Sequence, residues 1–466
     1  MLIRNAELED GSIADLRLRD GRIAEIGRLD RDDETCIDAN GGLLIPGLHD
    51  HHLHLMALAA SFESRRCGPP EVADAQAFAQ CLRQAPGSGW LRGTGYHESL
   101  CGLLDAAMLD AIVRERPLRI QHRSGRMWFF NSAALDRLLA AVPAPPGLER
   151  VDGRYTGRLF DSDAWLKQAL RSEPPALDRV GRELAAVGVT GVTDMSPRND
   201  PFMAAHFAAQ RACGALSQRL LLAGLPELAG LALAPGIRLG AVKLHLHEAD
   251  FAPLEQAAAL IGLAHEQGRP IAIHCATEAE LAYAIAAIDE AGARKGDRIE
   301  HASVASDAFV DEIARLDLAV VSQPHFVSER GDEYRAAMDA SELPHLYRLR
   351  SFLRAGVTLA AGSDSAFGHW DAWASMSAAV SRRTRGGHLI GADEALTPEQ
   401  ALDCYLRDPQ ALHERRRVEV GRAADLCLLD RGWARARTDL RRELVRATFI
   451  GGVLAYSDSI QAREPA

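Results

Sequence analysis

Short apolar runs that end in polar residues recur through the middle of the chain, alternating with segments whose apolar positions fall three and four apart. The runs are "LLIPGLHDHH", "GVTGVTDM" (188 to 195), "QRLLLAGLPE" (218 to 227), "GAVKLHLHE" (240 to 248), "RPIAIHCATE" (269 to 278), "DRIEHAS" (297 to 303), "LAVVSQPHF" (318 to 326) and "VTLAAGSDS" (357 to 365). Continuous apolar runs of this kind predict strands buried on both faces. The segments between them, such as "DFAPLEQAAALIGLAHEQG" and "TEAELAYAIAAIDEAG", predict amphipathic helices that stop at glycine. Eight strand-helix units predict an α/β fold, a (β/α)8 TIM-like barrel, whose chemistry belongs at the carboxy-terminal ends of its strands.

Both chain ends carry a different pattern. "MLIRNAEL" and "IADLRLRDGRIAEIG" at the front, "ADLCLLD" and "RATFIGGVLAYSD" at the back, read as short strands with hairpin turns at Asp20-Gly21 and Gly451-Gly452. Either piece alone has too few strands to bury a face. The expectation is one composite β-sandwich from residues 1–44 and 419–466, a barrel over 45–418, and an inserted subdomain over 60–175 capping the barrel mouth.

Composition narrows the function. The net charge is -11 with both signs interspersed, which argues against a nucleic-acid partner and a membrane-surface patch. The expected partner is a small-molecule substrate, with self-association left open. No run of about 18 or more apolar residues occurs and no secretory pattern precedes the first strands, so the expected location is cytoplasmic. The eight cysteines include no C-x-x-C pair and are read as reduced. Only three lysines stand among 53 basic residues, so Lys243, in the apolar setting of "AVKLHLHE", is conspicuous.

The candidate chemistry lies at strand ends. Residues i and i+2 of a strand share a face, which groups His52 and His54 with Asp50 and leaves His49 and His51 on the other side. His274 closes "IAIHC", His301 closes "RIEHA" and Asp364 closes "LAAGSD". Four imidazoles and a carboxylate at one barrel mouth form a ligand set for divalent metal, since packing alone would not bear the cost of so many buried polar groups. Lys243 shares a strand face with His245 and His247, which compete with it as ligand candidates. A desolvated lysine can lose its proton and react with carbon dioxide to form a carbamate; arginine cannot.

D-x-H-x-H after Pro-Gly, a strand lysine, two strand-end histidines and a final G-S-D together resemble the amidohydrolase superfamily of metal-dependent hydrolases. "WLRGTGYHES", "SGRMWFFNSAAL", "TGRLFD", "GVTGVTDM", "DRIEHAS" and "VSQPHF" are similar to its branch containing N-substituted formamide deformylases, with one departure: Gly125-Arg126 stands where that branch carries Gly-His. The resemblance implies that His52, His54 and Asp364 bind one metal, that His274 and His301 bind a second, and that carboxylated Lys243 bridges the two, with zinc the expected ion. Paired divalent ions lower the pKa of a shared water so that hydroxide exists near neutral pH. In this picture Asp364 is general base and then general acid, His325 contacts the tetrahedral intermediate, and Asp50 and Glu278 hold histidine N–H groups. The expected reaction is hydrolysis of a C–N bond in an amide, formamide or cyclic amide. The alternative is a mononuclear deaminase of a small heterocycle using His52, His54, His274 and Asp364, with Glu278 as proton shuttle; a noncatalytic scaffold on the same barrel predicts an eroded ligand set.

Overall fold

The computed structural model describes residues 1–30, 34–69, 71–171 and 174–458. Residues 459–466, the end of the expected terminal sandwich, lie outside the described residues, as do 70 and 172–173 of the expected insertion.

Each of the eight apolar runs falls on a strand: β1 (Leu48–Leu53), β2 (Val189–Asp194), β3 (Arg219–Gly224), β4 (Ile237–Leu244, starting three residues before its run), β5 (Ile271–Cys275), β6 (Arg298–His301), β7 (Ala319–Ser322) and β8 (Leu359–Ala361). They form one parallel sheet in which each strand pairs with its neighbours in chain order, β1 through β8. Helices such as Leu254–Glu266, Glu278–Ala291 and Asp307–Arg315 make the crossovers that parallel pairing requires. The helix after β5 starts with a capping box, Thr277 accepting from the Glu280 N–H while Glu280 accepts from Thr277. Beyond the last paired residues, β8 reaches β1: the Asp364 N–H donates to the His52 carbonyl at 2.7 Å, and the His54 N–H donates to the Ser365 carbonyl at 2.7 Å. Gly362 permits this approach, since a Cβ there would lie 2.4 Å from the His52 nitrogen.

The terminal segments form two four-stranded sheets. One runs Arg22–Gly27, Ile13–Arg19, Leu2–Glu7, Cys36–Asp38; the other runs Val453–Ser457, Val445–Ile450, Leu426–Leu429, Leu44–Pro46. Ile3, Leu16 and Ile37 from the first share one buried core with Leu44, Leu428 and Phe449 from the second. Their union closes the sandwich, because neither sheet has another apolar layer to cover that face.

The chain divides into two compact units, residues 1–55 with 177–466, and residues 56–176. The second has its own six-stranded sheet and a core around Phe78, Tyr96 and Phe129. Asn131, of the segment "MWFFNSAAL", is fully buried there: its Oδ1 accepts from the Leu118 and Ala134 N–H groups and its Nδ2 donates to the Val113 and Arg116 carbonyls. That asparagine caps a helix and ties a strand to a loop. No helix among the described residues is long and apolar enough to cross a membrane.

Candidate metal centre

All six residues of β1, Leu-His-Asp-His-His-Leu, are buried, so each polar group needs an internal partner. His49 Nε2 bonds the Thr193 hydroxyl at 2.9 Å and its ring lies 4.7 Å from that of His51. His52 and His54 turn the other way. His52 Nδ1 meets Glu300 Oε2 at 2.5 Å and His54 Nδ1 meets the Ser196 hydroxyl at 3.2 Å. Their Nε2 atoms face Asp364 Oδ1 at 3.6 and 3.1 Å. One ligand atom from each of His52, His54 and Asp364 therefore falls within 4.8 Å of the others, with both rings aimed through their second nitrogens, as metal-binding imidazoles are.

The remaining candidates adjoin this group. The His301 ring is 4.7 Å from that of His52 and 4.5 Å from that of His274, and its Nδ1 bonds Gln323 Oε1 at 2.7 Å. Lys243 is buried on β4, and its Nζ has no hydrogen-bond partner among the described residues. Burial draws the Lys243 amine down to about 8, against the opposing charge of Glu300. His245 lies past the end of β4 with its ring 4.3 Å from that of His274. His301 and Asp364 have φ of 71° and 48°, left-handed geometry that costs energy in a non-glycine residue and is held by its surroundings.

Burial opposes ionisation of Asp364, yet its bond with His54 and the charges of His301 and His52 hold it below the usual carboxylate range. Glu300 is likewise held low against its burial, chiefly by Arg298 and then by His52. Burial drops the His52 imidazole to about 3. Carboxylates held low and imidazoles whose protonation is disfavoured by burial are what a cation site needs. The donor set fits a divalent metal.

Several expected contacts fall elsewhere. Asp50 shares the His52 side of the strand but accepts backbone N–H groups of His52 and Ser363 at 3.1 and 3.0 Å, and burial lifts its carboxyl to about 6. Glu278 accepts from the Ser306 N–H at 2.8 Å, away from His274. His325 opens the helix after β7, its ring nitrogens engaged by the Ser375 hydroxyl at 3.1 Å and the Ser363 carbonyl at 3.0 Å. That geometry braces the loop carrying Asp364. Arg126, which stands where the deformylase branch carries histidine, is bound bidentately by Asp161. A cavity of about 900 Å³ lies at the other end of the strands, among Pro46, Thr190, Arg219, Arg238 and Asp425, and is lined by none of the candidate ligands.

Glu300 and Gln323 are the partners that pattern reading missed. Strand alternation sends Glu300 and His301 to opposite faces, but His301 leaves strand geometry at its positive φ, so both reach the site. The available signal was a carboxylate set inside the apolar run "DRIEHAS".

The model of the Amidohydrolase family matches residues 35–456. The chain belongs to the amidohydrolase family. This amidohydrolase is 27% identical to the N-substituted formamide deformylase of Arthrobacter pascens over 97% of both chains. It is 24% identical to a putative amidohydrolase of Bacillus subtilis, covering 91% of this chain and 90% of that one. Its fold is shared with the crystal structure of an uncharacterized metal-dependent hydrolase from Pyrococcus horikoshii, at a TM-score of 0.74 and 20% identity over 92% of this chain and 97% of that one. As an amidohydrolase it is a metal-dependent hydrolase of carbon–nitrogen bonds.

Proposed function

We propose that this amidohydrolase cleaves an amide, formamide or cyclic amide of a small molecule at a binuclear metal centre, adding water across the C–N bond to release a carboxylic acid and an amine. The observation that carries the reading is the convergence of His52, His54 and Asp364 around one point, with His301, His274 and the partnerless Lys243 beside it. His52, His54 and Asp364 would hold one ion, His274 and His301 a second, and Lys243, as a carbamate, would bridge them. Two divalent ions, zinc in the simplest case, supply Lewis acidity toward the carbonyl oxygen and lower the pKa of water.

The chain's own residues do the rest. Asp364 accepts the proton of the attacking water and returns it to the departing nitrogen, serving as base and then acid. Glu300 fixes the His52 ring through Nδ1, and Gln323 fixes that of His301. His325 holds the Ser363 carbonyl and so positions Asp364. Burial draws the Lys243 amine down to about 8, toward the neutral form that adds to carbon dioxide. The formamide deformylase relative, matched over nearly the whole chain, supports a formamide among the substrates. The mononuclear deaminase reading would need Glu278 as shuttle, and one oxygen of that carboxylate is taken by the Ser306 N–H.

Metal counting tests the proposal. About two ions per chain after purification without chelator is the expected result, given a binuclear site; about one would favour the deaminase. Release of an amine from a formamide panel is the expected activity, and ammonia from an aminated heterocycle with no amide cleaved would sink the reaction class.

A further inference from the structure

Arg330 lies on the helix His325–Ala337 that leaves the carboxy-terminal end of β7, the end that carries the candidate ligands. Its Nη2 donates to the Phe367 carbonyl at 2.6 Å, and its guanidinium carbon stands 3.9 Å over the Phe326 ring. Phe367 follows Asp364 by three residues, and its ring meets that of His54 edge-on at 5.6 Å. This large apolar side chain is 37% exposed, so it forms an open apolar wall directly beside a candidate ligand. Arg330 thus stands one residue contact away from the metal centre.

Among the described residues Arg330 makes that one hydrogen bond and no ion pair. Its sequence neighbour Glu329 accepts from the His369 N–H at 3.2 Å instead, and Asp364 is held by His54. The other donors of Arg330 are not sealed from water. Other arginines of the same unit are committed: buried Arg298 to Glu300, half-buried Arg348 to Glu394, and buried Arg382 to the carbonyls of Ile390, Tyr347 and Leu346. A guanidinium over an aromatic ring, with free donors and no ion pair among the described residues, though Asp364 and Glu329 act on it electrostatically, is a preorganised fork for a carboxylate. Two phenols supply further donors nearby: the hydroxyls of Tyr334 and Tyr347 lie 3.4 Å apart, and both act electrostatically on Arg330.

We infer that Arg330 receives a carboxylate of the substrate, so that the preferred compound is an N-acyl or N-formyl amine bearing a carboxylic acid on its amine part, with Phe367 lying along the apolar stretch between the two groups. This rests on the C–N hydrolase reading for the bond that is cut, whereas the carboxylate subsite stands on Arg330 itself.

The test uses the metal-loaded enzyme and a panel of formamides and acetamides, each present as a carboxylic acid and as its methyl ester, assayed by amine release. The acid is expected to be the better substrate of each pair. The acid-to-ester ratio of kcat/KM should fall about 10- to 100-fold in Arg330→Gln, the range expected for hydrogen bonds to a charged group, and the loss should appear in KM. Arg330→Lys keeps the charge without the fork and should fall between the two. An unchanged ratio in both variants, with acid and ester slowed alike and a lower melting temperature, would mean a purely structural arginine and would overturn the inference. A second measurement needs no turnover: calorimetric titration with phenylacetate, an acid with no bond to cut. Binding to the parent enzyme that weakens at least about tenfold in Arg330→Gln supports the subsite even if no amide is cleaved, in which case the C–N reading alone fails. Equal binding to both proteins overturns the subsite whatever the amides do.

Discussion

At the residue scale the centre is a set of imidazoles whose orientation depends on their second nitrogens. Glu300→Gln keeps the size of the side chain but replaces the anion at His52 Nδ1, and it leaves Arg298 facing a neutral group. Outer partners of metal-bound histidines contribute about 10- to 100-fold in affinity, so metal should be lost to a competing chelator at correspondingly lower chelator concentration, with the fold intact by circular dichroism. Lys243→Ala should lower metal occupancy, and added short carboxylic acids should restore part of the activity by standing in for the carbamate; full occupancy in that variant would refute the bridging role. His52, His54, Asp364 and Lys243 were legible because each interrupts an apolar run with a group that has no reason to be buried. Glu300 and Arg330 were not. The first depended on a positive φ at the next residue, and the second on which arginine, among many, has no ion pair among the described residues.

At the element scale the eight strands stand out because barrel strands are apolar on both faces, a pattern that needs no knowledge of neighbours. Parity along β1 likewise separates His52 and His54 from His49 and His51. The limit of parity is the strand end, where His245 lies past the last residue of β4, His301 has a positive φ, and the rule stops applying. Closure between β8 and β1 is a separate matter of space. A methyl group on Gly362 would sit 2.4 Å from the His52 nitrogen and 2.7 Å from its Cβ. Gly362→Ala should therefore cost about 1–3 kcal/mol through overpacking, read as a lower denaturation midpoint, and should also reduce metal binding because the displaced strand carries His52.

At the scale of the whole molecule, pH resistance offers a test remote from the metal. Glu394 is buried, and although burial raises its pKa, its bonds to Ser351 and Arg348 hold the carboxyl below its ordinary value. A depressed folded-state pKa gives stability that is complete above the unfolded value of about 4.3 and is lost as pH falls through the folded one. Glu394→Gln should therefore unfold at lower denaturant than the parent at pH 7, and the gap should close as pH drops below about 4. The terminal segments show the same reach across the chain: strands near residue 3 and near residue 449 share one core. That pairing could be argued from sequence because neither end could bury its apolar face alone.

The sequence by itself determined the strand-helix alternation, the two lone β ends and the residues able to ligate a metal, since burial pattern and side-chain chemistry are local properties. Only the tertiary structure decided which second nitrogen meets which acid, that Lys243 is left without a partner while Glu278 and His325 are engaged elsewhere, and that Arg330 rather than Arg126 keeps free donors. Those are distances between segments far apart in the chain, set by strand closure and backbone dihedrals that no single segment encodes.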